Sequence, residues 1–598
     1  MGIRREQTVT HVLEVKDMAA NESNAGGKAV MHMNPRIEQD RKRILDARAK
    51  GKGALAKTFI RLSGPGWLQS GITVGGVSFS SSLFLGVLTG YNFLWLQPLA
   101  MIVGIVMLAA ISYITLSTGK RPLREINTHV SPVLGWSWLL ASMAANLVWS
   151  MPQFTLATRA VQQNLLPNVI GPDVVPDPWG RAIVVGCVLV ICIIVTMFYG
   201  AGGRGAKIFE FIIKGIVSLI VLCFFAVVIK LAFEGAVPCG KILQGLIPDP
   251  RYFFKPVETF APYIAAVGED CRAFWTNLIV NQQRDVFIGG AAAAVGINMT
   301  FLFPYSMLRK GWDREFRGLA IFDLSAGLFI PFVLATGFVV VASASRFHTV
   351  PAPGFVPETP GGQVTEAAAP NLVGPYNDLL AQRVKFEMGE QAFSRLLDPQ
   401  KQQRASELPH ADKVMAAMLV KRDNYNMAKA LEPLTGSVIA QYLFGLGVLG
   451  LGISAATMLM AINGLCLCEM LNRPLKGWTQ RIGMLMVSVG AIGAIVWKQP
   501  APWLAMPTSV FCIILIPIAY VTFLLMMNQK TLMGNDMPRG GMRVLWNVLM
   551  IITVSVTVFI SGWSLWSRLK SWSIPVVAVF IGLVVVVHFI RKGRRAAA

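Results

Sequence analysis

Two stretches, WLQSGITVGGVSFSSSLFLGVL at residues 67–88 and VFIGGAAAAVGINMTFLFPYSML at residues 286–308, decide how the rest of the chain is read. Each is apolar and long enough to cross a bilayer, since a spanning helix needs about 20 residues. Each is also interrupted near its middle by residues that an unbroken spanning helix would avoid. The first carries Gly75-Gly76 and then Ser78, Ser80, Ser81 and Ser82; the second carries Gly296, Asn298, Thr300 and Pro304. Glycine and proline weaken the helical hydrogen-bond ladder, and freed backbone groups are tolerated at membrane depth only where they line a cavity or meet protein. Paired interruptions in corresponding positions of two halves are the sequence pointer to a transporter's midplane site. The candidate substrate-binding residues are therefore Thr73, Gly75, Gly76, Val77, Ser78, Asn298, Met299 and Thr300, with Asn146, Gln153 and Asp323 as further lining candidates.

Composition agrees with a membrane protein. The 598 residues are 54% hydrophobic and only 14% charged, with a mean hydropathy of +0.54. Soluble domains carry about 25% charged residues. The expected fold is all-α and polytopic, with about 12 transmembrane helices. They centre near residues 77, 104, 145, 190, 220, 297, 332, 453, 490, 515, 554 and 583.

The net charge of +22 is explained by its placement. Basic clusters stand at Lys120/Arg121/Arg124, Arg204/Lys207, Arg309/Lys310/Arg314/Arg317, Arg473/Lys476/Arg481, Lys530/Arg539/Arg543 and Arg591 to Arg595. They fall in every second connection, as cytoplasmic loops require. This reading excludes a nucleic-acid partner and puts both termini in the cytoplasm of an inner or plasma membrane. Residues 1–60 are expected to be a cytoplasmic, partly helical tail whose basic stretch, Arg36 to Lys57, lies on the anionic leaflet. Met1 to Gly53 is polar and does not read as a signal peptide. Residues 61–598 form the integral domain, with external loops at 234–285 and 346–436; the second is helix-like from Asn377 to Leu431.

Cys239 and Cys271 share the first external loop, where a disulfide is open to them in an oxidising compartment. Asp323 sits inside segment seven. Intramembrane acids are costly and default to function, yet its position near the cytoplasmic end favours a pairing with Arg317 or another base. No Walker motif, zinc-ligand spacing or nucleophile elbow appears. An ATP-driven pump, an enzyme and a bound cofactor are not expected.

Segments one to five and six to ten read as two halves of opposite orientation, a LeuT-like 5+5 inverted repeat with two C-terminal helices added. Gly64-Pro65-Gly66, Ser70, Phe79, Gly90-Tyr91 and Leu94-Trp95 resemble the opening of the Nramp (natural resistance-associated macrophage protein-like) transporters at the same spacing. Thr118-Gly119-Lys120, the Leu443-Phe444 to Met470-Leu471 stretch and Leu532-Met533-Gly534 are similar to later family motifs. The resemblance runs over roughly residues 64 to 535. It implies a secondary transporter with helices 1 and 6 broken.

The departures from that family carry as much information as the matches. The resemblance places the family's Asp-Pro-Gly-Asn ligand stretch at Gly75, Gly76, Val77 and Ser78, and its Met-Pro-His at Asn298, Met299 and Thr300. The acidic residues of its third segment align with Asn146 and Gln153, and a glutamine of its tenth with Leu515. A neutral site offsets less of an ion's desolvation than a carboxylate does. Mg²⁺ keeps several waters when bound, so a roomy neutral site suits it hydrated and without proton coupling. Ser78, Asn298 and Thr300 are the candidate metal contacts. A transporter of a neutral or zwitterionic small solute stays open, as does a non-transporting receptor or scaffold on the same frame.

Overall fold

The computed structural model describes residues 35–201, 238–357, 362–364, 366–423 and 436–597, with scattered positions between 202–237 and 424–435. The described residues are helical, without strands. Helices α1 (Pro35–Ala49) and α2 (Lys52–Leu62) belong to the N-terminal tail. The first broken segment is α3 (Pro65–Thr73) followed by α4 (Gly76–Thr89). Then come α5 (Leu96–Thr118), α6 (Pro132–Ala160) and α7 (Trp179–Ala201). The second broken segment is α8 (Glu269–Ala294) followed by α9 (Ile297–Arg309). Helices α10 (Arg317–Leu324) and α11 (Ile330–Phe347) make segment seven, joined by a π-turn at Ser325–Phe329. Helices α12 (Pro370–Met388) and α13 (His410–Leu419) lie in the long connection at 346–436. The chain ends with α14 (Phe444–Met470), α15 (Trp478–Met486), α16 (Ala505–Met527), α17 (Gly540–Leu569) and α18 (Ser573–Ala597).

The span centres expected from hydropathy fall on described helices with two exceptions. The fifth, near residue 220, lies largely outside the described residues, and the one near residue 490 falls on a 3-10 stretch at Val487–Ala491 just after α15. Both breaks occur where the glycines stand. The first helix stops at Thr73, and Val74 and Gly75 leave helical geometry before α4 begins at Gly76. The second stops at Ala294, with Val295 and Gly296 extended before Ile297. Pro304 does not cause a break; it sits inside α9.

Burial separates the core from the periphery. All residues of α4 are buried, whereas only 6% of the most apolar window of Gly540–Arg591 is. Helix α18 is therefore a lipid-facing addition, while α17 packs one face on α16: Met550 and Ser564 are buried, and Ser561 donates to the Ile514 carbonyl at 3.0 Å. Small residues let α14 approach α6 closely: a Cβ at Gly452 would lie 2.7 Å from the Gln153 carbonyl oxygen. Close backbone approach through small residues is how membrane helices gain packing energy.

The basic tail also finds protein partners: Arg48 Nη1 stands 3.0 Å from Glu315 Oε2, and Phe59 packs on Phe322 with ring centroids 5.6 Å apart. Acidic residues between segments six and seven attract it. The loop assigned to 234–285 is not loop throughout, since α8 already begins at Glu269. Cys239 and Cys271 are both free; Cys271 is buried against the guanidinium of Arg383, while Cys239 is exposed.

The connection at 346–436 is tied to the bundle by a buried carboxylate. Asp412 Oδ1 accepts from Trp275 Nε1 at 2.6 Å and from Arg383 Nε at 3.0 Å. Cysteines introduced at the exposed positions Lys120 and Arg314 are expected to be labelled from one side of the membrane, and one at Gln391 only from the other. An impermeant thiol reagent on intact cells reads this directly. Labelling of Arg314→Cys and Gln391→Cys from the same side would remove the inverted-repeat topology.

Candidate functional site

The two breaks meet, and side chains cross between them. Thr73, the last residue of α3, directs its Oγ1 to Met299 Sδ at 3.3 Å and to its own helix at Gln69 O, 3.0 Å. Ser78, in the first turn of α4, donates to the Thr73 carbonyl and reaches the Ala293 carbonyl of α8 at 3.3 Å. One hydroxyl therefore contacts the last turn of both interrupted helices. Such carbonyls are orphaned wherever a helix stops, and a short polar side chain at the break satisfies them.

Helix α6 supplies the opposite repair. Gln153 Oε1 accepts from the Gly76 N–H at 3.0 Å, capping the start of α4. A Cβ on Gly76 would lie 2.9 Å from that oxygen and 2.6 Å from Leu156 Cδ1. The glycine is needed for this close approach, not only to loosen the helix.

Asn298 is fully buried in the first turn of α9. Its Oδ1 accepts from the following Met299 N–H at 2.9 Å, and its Nδ2 has no partner. The Trp149 ring of α6 packs against the same break, 2.5 Å from where a Gly296 Cβ would stand. Asn146, one turn before Trp149, is buried with both amide atoms unpartnered. Gln69, one turn before Thr73, is in the same condition, and Trp149 Nε1 is also unpartnered. Most buried polar side chains are hydrogen-bonded in folded proteins. These six unpartnered polar atoms, on four residues of three helices, make the junction the candidate binding place.

The remaining candidates sit elsewhere or serve the frame. Thr300 donates to the Ile297 carbonyl and accepts from Trp138 Nε1 at 2.9 Å, which commits its hydroxyl to packing α9 on α6. Val77 is an apolar core residue, and Gly75 forms the extended link itself. Ser80 and Ser82 bond back to Gly76 and Ser78 carbonyls within α4. Leu515 is only partly buried and brings no polar group.

Asp323 is not at the junction, and the base near it is not Arg317 but Lys310, whose Nζ lies against Gly64. Arg317 pairs with Asp536 at 2.8 Å. The Asp323 carboxylate instead accepts from the Ser63 hydroxyl, from Gly64 N at 3.1 Å and from Gly66 N at 2.5 Å. It caps the positive N-terminal end of α3, about 12 Å along that helix from Thr73 at 1.5 Å rise per residue. The Gly-Pro-Gly motif is thus the receptacle for an acid from segment seven. A Cβ on Gly66 would stand 2.2 Å from the Asp323 carbonyl oxygen. Gly66→Ala is expected to cost about 1–3 kcal/mol through overpacking, while Gly186→Ala, with nothing within 4 Å, should not lower stability. Thermal unfolding of the two variants in detergent measures the difference.

Gln69 and Trp149 were missing from the candidates read from sequence. The signal for Gln69 was available: an amide inside an apolar span, four residues before Thr73 on the same helical face. Nothing in the local sequence distinguishes Trp149 from its neighbouring core tryptophans.

Comparison with known proteins adds a family. Residues 413–567 match the family model described as natural resistance-associated macrophage protein-like, Nramp. No curated protein sequence matches. Among solved structures, a point mutant of the Eremococcus coleocola manganese transporter has the same fold at a TM-score of 0.50 and 15% identity. The match covers 90% of this chain and 96% of that one. The same transporter in complex with an aromatic bis-isothiourea substituted compound gives the same values. The sequence match is confined to the C-terminal helices and the fold likeness runs nearly the whole length: residues 413–567 are similar to the Nramp family, and the chain has the fold of these manganese transporters, with the long apolar helices of an integral membrane protein.

Proposed function

We propose that the protein is a secondary transporter that carries a divalent cation through the junction of its two broken helices, with the ion partly hydrated and without coupled proton movement. The observation that carries this reading is the set of buried, unpartnered polar atoms on Gln69, Asn146 and Asn298 around the Thr73–Ser78–Met299 contacts. The fold is one that manganese transporters of Eremococcus coleocola also use.

The chemistry of the lining selects the form of the ion. Among the described residues no group of three or more His, Cys, Asp or Glu could hold a metal. A bare divalent ion there would lack the charge that offsets its desolvation. A hydrated ion instead donates its water hydrogens to amide and carbonyl oxygens, which the junction has. Mg²⁺, which gives up water reluctantly, suits that arrangement. One observation favours a softer ion: Met299 supplies a thioether at the junction, one residue beyond the aligned position 298, and thioethers favour Mn²⁺-class metals. The ratio of Mg²⁺ to Mn²⁺ flux separates the two.

The test is purified protein in liposomes, screened against Mg²⁺, Mn²⁺ and neutral amino acids with a pH dye in the lumen. Divalent uptake with an unchanged lumen pH is expected, because neutral amides occupy the aligned proton-relay positions at Asn146 and Gln153 and intramembrane proton carriers need titratable groups. Flux of an amino acid with no metal flux would overturn the cation reading. A substrate-dependent pH change would overturn the uncoupled reading, with Asp323 as the first residue to test.

A further inference from the structure

Away from the junction, two connections distant in sequence close around one basin. The turn after α5 contributes Lys120, Arg121 and Arg124, and the turn after α14 contributes Arg473 and Lys476. Together they line a cavity of about 760 Å³ whose only acidic lining residue is Glu125. That volume lies in the usual range for a small-molecule site, about 300–1,000 Å³.

The ordinary explanation for such cations is twofold: they mark the cytoplasmic side, and they cap helix C-termini. Neither accounts for this arrangement. Backbone groups already satisfy the helix ends, with Gly119 N on Thr115 O at 2.8 Å and Arg473 N on Cys468 O at 2.8 Å. The sidedness rule asks for an excess of charge, not for its convergence in a concavity. The local frame is instead fixed to hold the cations in place. Arg121 is braced by the buried Glu469 at 3.4 Å, and Arg124 is held by the side chain of Asn472. Asn472 adopts a positive φ of 52°, a conformation non-glycine residues seldom take. Lys120 reaches Glu125 at 3.6 Å, while Arg473 and Lys476 have no carboxylate within ion-pair distance among the described residues.

The basin also lies beside a membrane boundary. Arg591, at the basic end of the lipid-facing helix α18, donates to the Thr128 carbonyl at 3.0 Å, in the same connection as Lys120 to Glu125. We infer that this basin binds a phosphate-bearing anion, either the headgroup of an acidic lipid or a soluble phosphate compound. Arginine guanidinium groups recognise phosphate oxygens in a bidentate manner, and basic pockets between spanning helices take phosphate headgroups. The site is independent of the transport reading, because none of its residues touches the junction.

The experiment uses the full chain in phosphatidylcholine nanodiscs at physiological salt. One arm titrates dioctanoyl phosphatidic acid, and the other titrates inorganic pyrophosphate. Saturable binding is expected in at least one arm; the arm that binds identifies the source as lipid or soluble. The double variant Arg473→Gln/Lys476→Gln should weaken it about tenfold or more, from roughly a kcal/mol per cation. A control pair of exposed cations elsewhere, Lys530→Gln/Arg539→Gln, should leave it within about twofold. Absence of saturable binding in both arms would overturn the proposal. Equal weakening by both double variants would also overturn it, because the effect would then be diffuse surface charge.

Discussion

Asp323→Ala is expected to lower unfolding stability by about 3 kcal/mol or more and to abolish flux. The carboxylate is fully buried, and removing it strands the Gly64 and Gly66 N–H groups at the start of α3. Each buried donor left without a partner costs about 1–3 kcal/mol, and the favourable meeting of an acid with the helix N-terminus is lost as well. Flux should fail because α3 is a nine-residue rod held at one end by Asp323 and carrying Thr73 at the other. Freed at its N-terminus, it no longer fixes Thr73 against Met299. Asp323→Asn keeps one acceptor and should recover roughly half of the lost stability. Thermal unfolding in detergent, with flux on the same preparations, reads both effects. A change below about 0.5 kcal/mol would show that Asp323 does not hold α3.

The second large effect concerns substrate affinity. Asn298→Ala removes a buried amide whose Oδ1, already accepting from Met299 N, keeps a second lone pair for the ion's water; its loss is expected to cost about 1–3 kcal/mol of binding, tenfold or more in affinity. Folding should survive, because Met299 N also bonds to Gly296 O at 3.0 Å and alanine suits a helix. The converse experiment adds charge. Gly75→Asp is a poor choice, since a Cβ there would stand 2.8 Å from the Ile72 carbonyl oxygen. Gln153→Glu is nearly isosteric, keeps the acceptor for Gly76 N and places a carboxylate at the start of α4. It should tighten divalent-ion binding by roughly tenfold or more through direct charge attraction. Unchanged affinity in both variants, measured by calorimetry, would remove the junction as the binding place.

Much of the frame was legible in the sequence because glycine pairs and small polar residues inside long apolar runs have few other uses. Gly75-Gly76 and Gly296 marked both breaks to within a residue or two. What crosses between distant segments was not legible. Asp323 reads locally as an acid needing a base, and its hydrogen-bond donors are the Ser63 hydroxyl and the Gly64 and Gly66 N–H groups about 260 positions away, which no local pattern reveals. Met299 was a candidate from its place just after the second break, but its meeting with Thr73 is a product of how α9 enters the junction. The docking of the N-terminal tail has the same character. Arg48 looked like one more leaflet-facing cation until Glu315 stood beside it. The neutral residues at 146 and 153 were legible, but not that Gln153 would cap α4 while Asn146 stayed unpartnered.

The most direct measurement is an anomalous difference map from the protein crystallised with Mn²⁺. The account predicts one peak at the junction of the two breaks, between Thr73–Ser78 and Ala293–Met299. Its distances to protein oxygens should be about 4 Å, as for an ion that keeps a water layer, against about 2 Å for direct ligation. A peak absent from the junction and present elsewhere in the bundle would contradict it.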